Sequence, residues 1–139
     1  MSRKPITSSL AVLFPYSATT GGVTVRVAVS YLAEQSDPSS GRWFWSYHIR
    51  VENAGAEAVQ LLSRWWQITD GRGAVHEVVG DGVVGEMPLI APGASYDYVS
   101  GCPLKTASGA MEGSFGMVDE QGFAFDAVIP RFVLTGPQA

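Results

Sequence analysis

Gly80-Asp81-Gly82-Val83-Val84-Gly85 spells G-x-G-x-x-G, the letters of a nucleotide-phosphate loop, and continues as Glu86-Met87-Pro88-Leu89-Ile90-Ala91-Pro92-Gly93. In a dinucleotide fold this motif follows a parallel strand and opens a helix, whose N-terminal amides and dipole hold the phosphate. No helix runs through Pro88, Pro92, Gly85 and Gly93 in so short a span. Asp81 and Glu86 also place carboxylates where a phosphate would sit. The stretch therefore reads as a long shaped loop whose glycines serve positive φ angles and close backbone approach. An amide nest without a helix is the remaining way for it to hold an anion.

On either side of the loop the chain alternates with a period of two. Val23, Val25, Val27, Val29 and Tyr31 alternate with Thr24, Arg26, Ala28 and Ser30, the pattern of a half-buried strand. Residues 34–41 are a polar loop broken by Pro38. Trp43, Trp45, Tyr47, Ile49 and Val51 then share one face of a second strand, with Arg42, Ser46, His48, Arg50 and Glu52 opposite and Phe44 as the exception. After the turn residues Asn53-Ala54-Gly55 comes a strand over 59–69. Its two parities are Leu62, Arg64, Trp66, Ile68 and Leu61, Ser63, Trp65, Gln67. Asp70-Gly71-Arg72-Gly73 is a tight hairpin turn into a strand over 74–79. Strands over 95–101, 110–118 and 123–134 follow the loop, the last with its apolar parity switching at Pro130, the mark of a bulge or a hand-over between sheets. Seven to eight short strands with turns between them predict an all-β, antiparallel sandwich of immunoglobulin or fibronectin type III character.

The bulk properties fit one domain. The chain has 139 residues, 46% hydrophobic and 16% charged, enough to bury a core of its own. Residues 1–21 carry no sustained period and read as a flexible or loosely docked extension, 22–135 as the domain, and 136–139 as a tail. The formal net charge is −4 and the nine basic residues are scattered, which argues against a nucleic-acid partner. The apolar run at residues 10–14 is too short for a signal-peptide core or a membrane span. Cys102 is the single cysteine, so no intrachain disulfide forms, in keeping with a reducing compartment. A cytoplasmic protein with no membrane partner is the expectation.

Several motifs stand together in the order of a known family. They are Gln35-Ser36, Val59-Gln60-Leu61-Leu62-Ser63-Arg64, Gly80 to Glu86, Pro92-Gly93, Tyr98-x-Ser100-Gly101, Gly109-x-Met111-x-Gly113 and Ile129-Pro130-x-Phe132-x-Leu134. Over residues 22–135 the chain resembles the ApaG family. The resemblance implies a fibronectin type III-like sandwich and no settled biochemical activity. Bacterial genes of the family often sit beside a diadenosine tetraphosphate hydrolase, and an older name links them to cobalt and magnesium handling. In eukaryotes a similar domain is appended to F-box proteins and to a polymerase-associated protein, which implies an interaction module. Trp65 and Gln67 depart from the family's usual residues.

The candidate sites are then few. Arg64 shares parity with Leu62, Trp66 and Ile68, so its guanidinium is expected near the core face. It either pairs with Glu86 or Asp81 and stacks on an aromatic ring, or binds a phosphate or partner carboxylate beside Gly80, Asp81, Gly82 and Gly85. His48 and His76 stand alone on their strands, without the spacing of a metal site. Asp81 and Glu86 could hold a magnesium through their oxygens, but two carboxylates in a loop are a common pattern and no metal is expected. Cys102 has no evident base partner, and neither a catalytic residue nor a cofactor is expected. Trp43, Trp45 and Trp66 read as core. Trp65, opposite in parity to Trp66, marks with Phe44 and Leu61 a face for a protein partner or a homodimer, unless another segment covers it. A non-enzymatic interaction module is the leading expectation, and phosphate or nucleotide-polyphosphate binding at the glycine loop the alternative.

Overall fold

The computed structural model describes residues 13–138. Among them the chain forms nine strands: β1 Tyr16–Thr20, β2 Val23–Tyr31, β3 Trp43–Asn53, β4 Val59–Asp70, β5 Val75–Asp81, β6 Leu89–Ile90, β7 Ser95–Leu104, β8 Ser108–Asp119 and β9 Ala124–Thr135. Two short 3-10 turns, Ala33–Gln35 and Pro38–Ser40, fill the polar loop between β2 and β3. One antiparallel sheet has the order β1-β2-β3-β7, the other β5-β4-β8-β9, with β6 adding to β4. The two form a sandwich, because each is apolar on one face only and buries that face against the other.

The alternation that predicts β2 and β3 is the alternation that fills the core. Val23, Val25 and Val27 from β2 and Trp43, Trp45, Tyr47, Ile49 and Val51 from β3 are buried. The second sheet answers with Leu61, Trp66, Met111, Phe115, Met117, Ile129, Phe132 and Leu134. At the centre Trp66 meets Tyr47 at 5.4 Å and Phe132 at 5.9 Å between ring centroids, both edge-on, the geometry that ring quadrupoles favour. The outward residues of β3 are paired across the first sheet, Arg26 with Glu52 at 3.0 Å and His48 with Asp97 at 2.8 Å, and along the strand, Arg50 with Glu52 at 3.3 Å.

Three features differ from the sequence reading. Part of the segment read as an extension is a strand: β1 pairs with β2 along its full length, while residues 1–12 lie outside the described residues. The tail is tied down through residue 137, since Trp43 Nε1 donates to the Pro137 carbonyl at 2.8 Å and Trp45 Nε1 to that of Thr135 at 3.0 Å. On β4 the pairing with β8 shifts between Leu61 and Ser63, a bulge that reverses parity there. Leu61 is thus fully buried and Leu62 exposed, the reverse of the expectation. A second shift on the β8–β9 pair falls opposite Pro130, between the partners Ile129 and Phe132. Of the two readings offered for that position it is the bulge.

Among the described residues the sandwich is closed along one side and open along the other. Where β1 meets β9, the Thr20 hydroxyl accepts the Val128 amide at 3.1 Å and the Tyr16 hydroxyl accepts that of Val133 at 3.5 Å. The opposite side is bounded by the two remaining edge strands, β5 and β7.

Candidate functional site

The glycine loop begins as strand, because Gly80 and Asp81 end β5 and pair with Arg64 and Ser63. The chain then turns tightly at Val84-Gly85. Val83 and Glu86 exchange two backbone hydrogen bonds of 2.8 Å, and both residues between them have positive φ, 43° and 81°. That is a two-residue type I′ hairpin. Gly82, at φ 59°, donates its amide to the Leu62 carbonyl at 2.8 Å. A Cβ on Gly82 would collide with the Glu86 carbonyl oxygen. Three loop amides, those of Gly82, Val83 and Glu86, are therefore spent within the protein and are not available to an anion.

The loop instead presents oxygens to a cation. Arg64 Nη1 donates to the carbonyls of Asp81 and Gly82, both at 2.9 Å. Its guanidinium lies over Gly80, where an added Cβ would come within 2.6 Å of Nη2. The expected carboxylate pairing and ring stacking are thus replaced by backbone carbonyls and a glycine. Glu86 turns elsewhere and accepts the Tyr96 hydroxyl at 2.6 Å. Burial, then that carboxylate's acceptance of the proton, pushes the Tyr96 phenol up to about 12. Parity explains the substitution of partners: Arg64 faces inward across β5, so only the backbone at the end of β5 is within reach.

Arg64 also stands at a cavity of about 520 Å³ on the open side, between β4 and β5 on one wall and β7 on the other. Trp66, Ile68, Val78, Leu104 and Met111 give it apolar surface, and Tyr47, Ser100 and His76 contribute polar tips. No aspartate or glutamate lines it. Among the described residues, the hydrogen bonds of Arg64 are those of Nη1, which leaves Nε and Nη2 without a protein acceptor. Burial raises the Tyr47 phenol, opposed by the Ser100 hydroxyl and by the Arg64 charge.

The proposed aromatic face does not exist as one patch. Phe44 is on the outer face of the first sheet, its ring covering Gly101. Trp65 is on the outer face of the second, and Leu61 is in the core. Trp65 is half-buried in a row that runs across that sheet, Val79–Trp65–Ser114–Val128, in which Val79 is 74% exposed and Val128 49%. Sequence reasoning missed Val79, although its place opposite Trp65 follows from the turn at 70–73 that sets the hairpin register.

Every residue of β5 is exposed apart from the half-buried Gly80, and among the described residues the strand pairs on one side only, with β4. The chemistry of acid, base and nucleophile is otherwise thin. His48 packs edge-on to Phe14 at 4.9 Å and is held by Asp97, while His76 stands at the cavity mouth. Cys102 is buried, and burial pushes its thiol up to about 11, the opposite of what activates a cysteine. Among the described residues no three of His, Cys, Asp or Glu gather in a metal-holding group.

A two-sheet antiparallel sandwich with a glycine-shaped loop clamped on an inward arginine defines the class. Residues 33–119 match the ApaG domain model, and the chain belongs to the ApaG family. Protein ApaG of Rhodospirillum centenum is 52% identical over 122 residues, covering 88% of this chain and 94% of its own. That of Brucella suis biovar 1 is 51% identical over 123 residues, with 88% and 95% covered. The crystal structure of an ApaA protein from Bordetella pertussis superposes with a TM-score of 0.81 at 45% identity, over 84% of this chain and 95% of that one.

Proposed function

We propose that this domain is a non-enzymatic interaction module that takes an extended segment of a partner polypeptide along the free edge of β5. The observation that carries this reading is β5 itself: seven residues, Val75–Asp81, exposed on both faces but for the half-buried Gly80 and, among the described residues, unpaired along one edge. Such an edge is a row of open amides and carbonyls that proteins ordinarily blunt with lysine, proline or a covering segment. Among the described residues β5 has no lysine, no proline and no covering segment, whereas the other long edge on this side, β7, carries Pro103. An added strand gains main-chain hydrogen bonds, and alternate side chains supply specificity. Val79 beside Trp65 offers the outward contact, Val78 the inward one. The lone buried thiol suits a reducing compartment, so we expect the module to work in the cytoplasm.

Selection of binders from a random peptide library, followed by amide chemical-shift mapping, tests this. Recovered peptides should move Val75, Glu77 and Val79 most, and Val79→Lys should abolish their binding without lowering stability. Recovered peptides that map to the β1–β9 side, or a library that yields none, would refute it.

A further inference from the structure

From the cavity between β5 and β7 we infer a binding site for a small organic carboxylate with an apolar body, held side-on by the free edge of Arg64. The inference goes beyond the peptide-edge reading: it uses the inward side of β5, at His76 and Val78, with the β7 wall, and not the strand's free backbone edge. Volume comes first: about 520 Å³ lies within the range of small-molecule sites. Charge comes second. The chain carries 13 acidic residues against nine basic ones, yet the cavity lining includes Arg64 and His76 and no acid. Geometry comes third. Nη1 is committed to the carbonyls of Asp81 and Gly82, which fixes the plane of the guanidinium and leaves Nε and Nη2 to donate in parallel. Two parallel N–H donors match the two oxygens of one carboxylate.

The walls decide between anions. A phosphate monoester brings close to two charges and three acceptor oxygens, and this site has one fixed cation amid Trp66, Ile68, Leu104 and Met111. Burying the second charge there has no compensation. A carboxylate balances the single positive charge, and an apolar body covers the walls. The hydroxyls of Tyr47 and Ser100, on the β3–β7 wall, stand ready to accept or donate at a polar position along that body. A guanidinium preorganised by backbone carbonyls loses little side-chain freedom on binding, which favours recognition by a single residue.

The test uses 4-phenylbutyrate and its uncharged amide, 4-phenylbutyramide, each titrated into the full chain and followed by amide shifts and tryptophan fluorescence. The carboxylate should bind with shifts at Val78, Ser100 and Leu104, and the amide at least about tenfold more weakly. Because Arg64 also clamps the loop, the informative variant is Val78→Glu, which places a like charge in a 39%-exposed position without touching that clamp. It should bind the carboxylate at least about tenfold more weakly. Equal binding of acid and amide, unchanged affinity in Val78→Glu, or no binding at millimolar carboxylate overturns the assignment. A peptide ending in a free Phe carboxylate that binds where 4-phenylbutyrate does not would overturn the small-molecule source. Such a result would transfer the site to a chain terminus. None of these outcomes bears on whether library peptides pair along β5.

Discussion

Gly80 and Gly82 are separated by a single residue, Asp81, and are glycines for different reasons. A methyl on Gly80 meets the far end of the Arg64 side chain, which can lift away, whereas a methyl on Gly82 meets backbone at a positive φ. Gly82→Ala should therefore cost about 2 kcal/mol or more, and Gly80→Ala less, about 1–2 kcal/mol, in urea denaturation. Val84 is a β-branched residue at φ 43°, in a turn position that Asn or Gly fits better. Val84→Asn should raise stability by about 1 kcal/mol by the same assay. The two adjacent tryptophans separate as cleanly: Trp66→Ala should cost about 3–5 kcal/mol, Trp65→Ser much less. The sequence shows which residues carry charge but not where carbonyls point, so Arg64 was legible as an outlier and its true acceptors were not. The glycine letters were ambiguous because a phosphate nest and a type I′ turn both need positive φ. Only the prolines downstream broke the tie.

At the scale of elements, strands with one buried face were readable and departures from regular pairing were not. β2 and β3 alternate strictly because every second side chain enters the core. The β4 bulge leaves no compositional mark, since Leu61 and Leu62 are the same residue and either could face inward. β1 is five residues of tyrosine, serine, alanine and threonine, too polar to announce itself, and only its pairing with β2 and nearness to β9 make it a strand. Asn53 illustrates what such joints need. It is the buried polar residue at the end of β3, and its amide nitrogen donates to the carbonyls of Glu57 at 2.7 Å and Ile90 at 3.0 Å. Its oxygen accepts the Gly55 amide at 3.0 Å. Asn53→Ala leaves those groups without partners and should cost about 2–3 kcal/mol in urea denaturation. Side-chain parity also says nothing of which sheet a strand joins, which is why Phe44 and Trp65 end on opposite sides of the molecule.

For the whole molecule, the buried phenols and the thiol set a limit on the alkaline side. Cys102 moves from an ordinary value of 9 to about 11 and Tyr96 from 10 to about 12, while burial raises Tyr47 and Tyr98 as well. Each holds its proton more tightly folded than unfolded. Its contribution is thus complete below the unfolded value and is lost as the pH rises through the folded one. Stability should hold up to about pH 9 and fall from there to about pH 12. Cys102→Ala should delay the onset, as read from denaturation midpoints across that range. On the acid side, Ser39 and Ser40 hydroxyls hold Asp37 low, and the backbone amides of Arg72 and Ala74 hold Asp70 low. What these two add is present above the ordinary carboxylate range and is lost as the pH falls. The sandwich as a class was legible from alternation alone, but its asymmetry was not, because one closed and one open side is a property of which edges meet.

The carbonyl clamp on Arg64 is, in the language of complementation, a lock whose key happens to be covalently attached. Shortening the side chain in Arg64→Ala leaves the oxygens of Asp81 and Gly82 aimed at an empty, guanidinium-shaped space beside Gly80. Low millimolar ethylguanidinium, supplied from solution, should then occupy it and restore part of the lost melting temperature. Ethylammonium, a point charge without the flat fork, should restore less.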